Sequence, residues 1–212
     1  MDNINTYDPG SMPKKQILSA QIDLTKFEKA SDEEKRQQET LLKKSRTDGL
    51  TGLYNRGAYQ DTIFQHKDEP IEDDFTLISF DLNGLKTVND TLGHQAGDEL
   101  IMGACQCMNQ AFGTLGRLYR VGGDEFAAII ETELPREALV SLLERFLAEI
   151  ADILPERTVS CSIGAWRFTF PEEVATLLTQ TDHALYQAKE NGRSCFVLLD
   201  ETAPPPAAGD AR

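Results

Sequence analysis

The sequence predicts an α+β domain on the ferredoxin-like plan, β-α-β-β-α-β around one sheet, with extra helices. Three observations carry that expectation. Apolar runs of strand length alternate with longer runs of helical spacing. Two of the strand-like runs, Arg117–Val121 and Glu125–Ile130, flank a glycine pair that marks a tight hairpin. Finally, 212 residues with 40% apolar and 26% charged content suit one well-filled core with tails, not two large domains.

Residues 1–30 are polar and turn-rich, and are expected to be a tail or the remnant of an upstream sensor domain. Ser31-Asp32-Glu33-Glu34 fits a capping box, with Ser31 as N-cap and Glu34 reaching back, and opens a charged helix over 31–47. Phe27 just before it and Leu41 and Leu42 within it are the main apolar residues. They are too few to pack a core, so the segment reads as a solvated connector or one strand of a weak coiled coil.

The pattern changes at residue 48, and the domain is expected to run over 48–199. Helical spacing covers Arg56–His66, an acidic loop spans Asp68–Asp74, and Phe75–Leu82 is an apolar strand. A long helix follows from about Gln95 to Phe112, ahead of the hairpin. Pro135 opens a helix whose Leu139, Leu142, Leu143, Phe146, Leu147 and Ile150 recur at i, i+3, i+4. Thr158–Ala165 reads as a strand. Pro171-Glu172-Glu173 places proline and carboxylates at the start of the next helix, and Asn191-Gly192 ends it. Ser194–Leu199 is the last strand, and the Pro/Ala-rich tail at 200–212 is expected to be disordered.

Charge narrows the partners. Residues 1–47 carry 9 Lys+Arg and 8 Asp+Glu, which leaves 12 and 27 for residues 48–212, a formal charge of −15. A field of that sign repels phosphate backbones and argues against nucleic-acid binding, so an anionic substrate would need local cations or metal ions. No apolar run approaches the roughly 20 residues of a membrane-spanning helix, and Met1-Asp2-Asn3 does not begin a secretion signal. No membrane contact and a cytoplasmic location are expected. Cys105, Cys107, Cys161 and Cys195 form no C-x-x-C pair and read as reduced thiols.

Three constellations can carry chemistry. Asp81 ends the first strand, and Asp124 and Glu125 lie at the hairpin turn; if those strands are neighbours, three carboxylates converge on one edge. Like charges that close resist ionisation, and a hard divalent cation such as Mg²⁺ relieves them with substrate phosphates completing its shell. Gly122 and Gly123, without Cβ atoms, would let phosphates approach the backbone. The second constellation runs from Asp81 through Asn89-Asp90 and Gly93-His94 to Gly97-Asp98. Asn89 can both donate and accept, and Asp98 can accept two N–H bonds, which is what a guanine edge presents; Asn and Asp here are also ordinary caps and turns. The third is Ala188-Lys189-Glu190-Asn191-Gly192-Arg193, whose Lys189 and Arg193 suit a helix C-terminus and could also grip terminal phosphates.

Together these residues resemble the GGDEF family of diguanylate cyclases, whose signature stands here as Gly122-Gly123-Asp124-Glu125-Phe126. The likeness covers almost all of 48–199. Asp48-Gly49-Leu50-Thr51-Gly52-Leu53-Tyr54-Asn55-Arg56 is similar to the family's leading motif, Asn89-Asp90 through Gly97-Asp98 to its guanine-binding segment, and Ala184-Leu185-Tyr186-Gln187-Ala188-Lys189 to its closing helix. The resemblance implies a cyclase-palm type sheet with flanking helices and an N-terminal signalling helix. It implies that two GTP condense into cyclic di-GMP, with Mg²⁺ or Mn²⁺, at the interface of a homodimer regulated by an upstream sensor. Asp81, Asp124 and Glu125, with the Leu82 carbonyl, are then the expected metal ligands. Asp124 or Glu125 would deprotonate the ribose 3′-hydroxyl. Asn89 and Asp98 would read guanine, the two glycines would pass close to the phosphates, and Lys86, Lys189 and Arg193 would balance the triphosphate.

Three positions depart from the family pattern. Asn83 stands where many members have a second Asp, and Leu85 where Phe is common. Gly113-Thr114-Leu115-Gly116 replaces an inhibitory R-x-x-D motif at both ends, so product inhibition through that site is expected to be absent. The competing reading is a catalytically silent GTP-binding regulatory module. The retained signature residues favour the active enzyme, and Asp98 favours two guanines over a mixed product.

Overall fold

A computed structural model describes residues 32–38, 40–71, 74–153, 159–168 and 173–201. The chain divides into two compact units after Ser45. Helix α1 covers residues 32–38 and 40–46, and its Leu41 and Leu42 are largely exposed. The expected cap Ser31, Phe27 and the C-terminal tail from 202 onward lie outside the described residues.

The second unit runs α2 (Arg56–Phe64), β1 (Phe75–Asn83), α3 (Leu85–Leu92), α4 (His94–Phe112), β2 (Arg117–Arg120), β3 (Glu125–Ile130), α5 (Arg136–Ala151), β4 (Ser160–Phe168), α6 (Val174–Glu190) and β5 (Phe196–Glu201). The five strands lie in the order β2-β3-β1-β4-β5. The first four are antiparallel neighbours in the ferredoxin-like order, and β5 joins β4 in parallel through the α6 crossover.

Alternation along the strands sorts the core into two layers. Ile78, Phe80 and Leu82 of β1 face α4 and α5, where Phe80, Phe112 and Phe146 form a ring cluster with centroids 5.2–5.9 Å apart. Phe75 and Leu77 face the other way, packing with Trp166, Phe168 and Leu177 beneath α2 and α6. Helix α6 rests directly on β4, because a Cβ at Gly164 would lie 2.6 Å from the Thr181 carbonyl oxygen.

Differences from the sequence expectations have local causes. Helix α3 is unpredicted: eight residues between Gly84 and Gly93, both at φ 87°, are too short for a periodic signal and bury only Leu85 and Val88. Strand β4 extends to Phe168, past Ala165, because β1 and β5 pair it on both sides. Strand β5 starts at Phe196, not Ser194, because Arg193 and Ser194 adopt left-handed φ of 64° and 50°, which no strand accommodates. Helix α2 stops at Phe64, short of His66, and α6 is seen from Val174, with Pro171, Glu172 and Thr158 outside the described residues. All four cysteines are free, and burial pushes the Cys161 thiol well up. Among the described residues no helix is long and apolar enough to cross a membrane.

Candidate functional site

The polar end of β1 meets the β2–β3 turn. Asp81 pairs in register with Glu125, and the Leu82 N–H donates to the Asp124 carbonyl at 2.9 Å, which stitches the turn to the strand end. Leu82 buries its side chain in the core, so only its backbone is offered to the site. Two carboxylates directly opposite on one sheet face repel. Lys189 relieves this: its Nζ lies 2.6 Å from Asp81 Oδ2. The close contact of α6 on β4 puts it there, since Gly164 pairs with Ser79, two residues before Asp81, and Lys189 follows one turn after Leu185.

The three carboxylates share the edge where β1 meets the hairpin turn but do not close around one point. Among the described residues no three His, Cys, Asp or Glu side chains are placed to hold a metal ion together. Asp81 turns to Lys189, Glu125 folds back along the hairpin, and Asp124 sits in the turn. The donors still suit a hard cation that keeps only one or two protein carboxylates and takes its remaining oxygens from phosphate and water.

The two glycines have different surroundings. A Cβ at Gly122 would lie 2.5 Å from Glu125 Oε2, whereas Gly123 opens onto free space. Gly123 is therefore the place where a ligand can reach the backbone, and the room at Gly122 is taken by the Glu125 carboxylate. Arg120, which the sequence reading passed over, braces the turn. Its guanidinium donates to the Gly123 carbonyl at 2.8 Å and to Asp48 Oδ1 at 3.1 Å. Asp48 also accepts from the Thr51 N–H at 2.9 Å and hydroxyl at 2.8 Å, so the leading motif is a folded loop tied to the hairpin. Tyr54 continues that tie through Tyr54 N–H to Leu118 and Arg120 N–H to Tyr54.

Asn89 on α3 and Gly97 on α4 are brought together by the sharp break at Gly93. Asn89 is half-buried against Gly97, the residue before Asp98, and Asp98 is exposed. Lys86 is exposed in the first turn of α3.

Asn83 is a buried, satisfied amide rather than a vacant ligand position. Its Nδ2 donates to Ser160 Oγ at 3.0 Å and Ser162 Oγ at 3.1 Å, and Arg193 donates to its Oδ1 at 3.4 Å. Ser160 and Ser162 stand opposite Asn83 and Asp81 in the ladder, and their i, i+2 spacing was the signal available in the sequence.

Known proteins share this sequence pattern and fold. Residues 45–195 match the family model described as diguanylate cyclase, GGDEF domain. Diguanylate cyclase DgcS of Shewanella oneidensis is 32% identical over 155 residues, covering 71% of this chain and 52% of the relative. The bifunctional diguanylate cyclase/cyclic di-GMP phosphodiesterase MucR of Pseudomonas aeruginosa is 33% identical over 171 residues, covering 76% of this chain and 24% of MucR. The chain thus spans about half of one relative and about a quarter of the other. Among solved structures, the coiled coil and GGDEF domain of DgcB from Caulobacter crescentus, in complex with c-di-GMP, superposes with a TM-score of 0.71 at 24% identity, over 85% of this chain and 100% of that one. Motif order, sheet order and family model coincide over the same residues, and the chain belongs to the GGDEF family of diguanylate cyclase domains.

Proposed function

We propose that the domain over 48–199 condenses two GTP into cyclic di-GMP, releasing two pyrophosphates, where two copies of the chain meet face to face. The observation that supports this best is the edge where Asp81, Asp124, Glu125 and Lys189 meet, with Asn89 and Asp98 beyond the same end of β1. Bound Mg²⁺ or Mn²⁺, held by Asp81, Asp124 or Glu125 and the Leu82 carbonyl, would neutralise phosphate charge and polarise the α-phosphate. Asn89 and Asp98 orient guanine, and Lys86, Lys189 and Arg193 hold the β- and γ-phosphates. Asp124 or Glu125 takes the ribose 3′-proton. The 3′-oxygen of one nucleotide then bonds to the α-phosphorus of the other while the bond from that phosphorus to the bridging oxygen breaks, and pyrophosphate leaves. Each chain supplies one nucleotide, so positioning by the second chain is the larger part of the rate. Residues 31–47 serve as the connector that a sensor acts through, with 1–30 as a tail or the remnant of that sensor and 200–212 as a tail.

The direct test is incubation of the chain with GTP and Mg²⁺ or Mn²⁺ at increasing protein concentration, with the product identified by mass spectrometry. Cyclic di-GMP that rises faster than linearly with protein is expected. GTP binding with no product at any concentration, even with a dimerising segment fused upstream, would leave a silent regulatory module.

Product inhibition through Gly113–Gly116 is expected to be absent. Neither end offers a charged side chain, and a Cβ at Gly116 would overlap the Ile129 carbonyl, so an aspartate there would not fit this backbone. Added cyclic di-GMP should leave the initial rate unchanged up to concentrations that compete with GTP itself. Noncompetitive inhibition that maps to 113–116 would contradict this.

A further inference from the structure

We infer that Gly97 is a positioning residue for base recognition: its missing side chain is the seat of the Asn89 amide. This rests on the reading of Asn89 and Asp98 as the guanine-binding pair. A Cβ on Gly97 would overlap Asn89 Oδ1, and would lie 2.9 Å from Asn89 Cγ and 3.3 Å from Leu85 Cδ1. Asn89 is on α3, Gly97 in the first turns of α4, and Gly93 at φ 87° folds one helix against the other. Leu85 is buried and cannot give way easily, whereas the Asn89 amide is the free end of a side chain and can rotate out. The glycine is not required by its own backbone. Gly97 lies within α4, its φ is not in the left-handed range, and its N–H reaches the Gly93 carbonyl at 3.4 Å.

Glycine within a helix is ordinarily a liability, since alanine loses less backbone entropy on folding. Here that liability coincides with the room that the Asn89 amide occupies. Gly97→Ala should therefore act in opposite directions on stability and on recognition. The helix gains, and the amide is driven out of the position where it meets the base.

The test is titration of the full chain with a nonhydrolysable GTP analogue and the matching ATP analogue, alongside thermal melting. Gly97→Ala is expected to melt at or above the wild-type temperature and to lose about tenfold or more of its preference for guanine, as expected when a base edge is left unpaired. Asn89→Ala should lose a comparable share. Adding Gly97→Ala to it should cost nothing further, because the glycine acts through a side chain already removed. An unchanged guanine preference in Gly97→Ala, or additive losses in the double variant, would overturn the inference. Absence of guanine preference in the wild type would instead overturn the reading of Asn89 and Asp98 on which it rests.

Discussion

Asp81→Asn is expected to lower cyclic di-GMP synthesis by about three orders of magnitude, the loss usual when one fixed group facing developing phosphate charge is removed. Asp81 is the carboxylate of β1 that reaches the site, paired in register with Glu125 and held 2.6 Å from Lys189. The amide is nearly isosteric, so the β3-β1-β4 ladder survives. Lys189 is a third exposed and can turn to solvent, so the lost ion pair costs at most about 1 kcal/mol. Product measured by mass spectrometry and melting followed by circular dichroism should separate the two effects, with melting shifted by a few degrees at most. Asp124→Ala should match the catalytic loss. Asp81→Asn retaining a tenth or more of wild-type synthesis would remove Asp81 from the catalytic machinery.

Arg120→Ala should have the second largest effect, on both stability and rate. Arg120 and Asp48 are 14% and 24% exposed, and the guanidinium joins the leading loop to the Gly123 carbonyl. Losing charge-assisted bonds in that setting costs about 2 kcal/mol, or roughly 4–8 °C in melting temperature. Release of the turn that carries Asp124 should also lower synthesis by about a hundredfold, the scale expected of small misplacements far from the chemistry. Arg120→Lys should not rescue it, because one ammonium cannot reproduce the fork that spans both acceptors.

The same pair predicts a pH dependence. Burial alone would raise the Asp48 pKa, but hydrogen bonds from the Thr51 N–H and hydroxyl and the nearby Arg120 outweigh it and hold the carboxyl below its ordinary 3.8. A carboxyl depressed by folding stabilises the protein above the unfolded value, and that contribution is lost as pH falls through the lower folded value. Wild type and Arg120→Ala should therefore differ most near neutral pH and by less in acid below 3.8, where the bond to the Gly123 carbonyl is what remains. A constant gap across that range would show that Asp48 is not the partner that matters.

Legibility from sequence followed the range of each interaction. The hairpin around Gly122-Gly123 and the amphipathic spacing of α5 are local patterns, and they appear where expected. Helix α3 escaped because two glycines bound it within a single short turn pair. Asn83 was legible only as a missing charge, and its place in a seryl network with Arg193 depends on which residues of β4 stand opposite.

By itself, then, the sequence determined every element but α3, the order of the motifs and the residue types available for phosphate and base recognition, because side-chain alternation, helical periodicity and glycine turns are properties of neighbouring residues. Tertiary structure alone decided that Lys189 meets Asp81 across 108 positions, that Arg120 reaches Asp48 across 72, and that Gly122 gives its space to Glu125 while Gly97 gives its space to Asn89. Those contacts follow from strand register and from how closely a helix settles on its neighbour, and no stretch of adjacent residues encodes either.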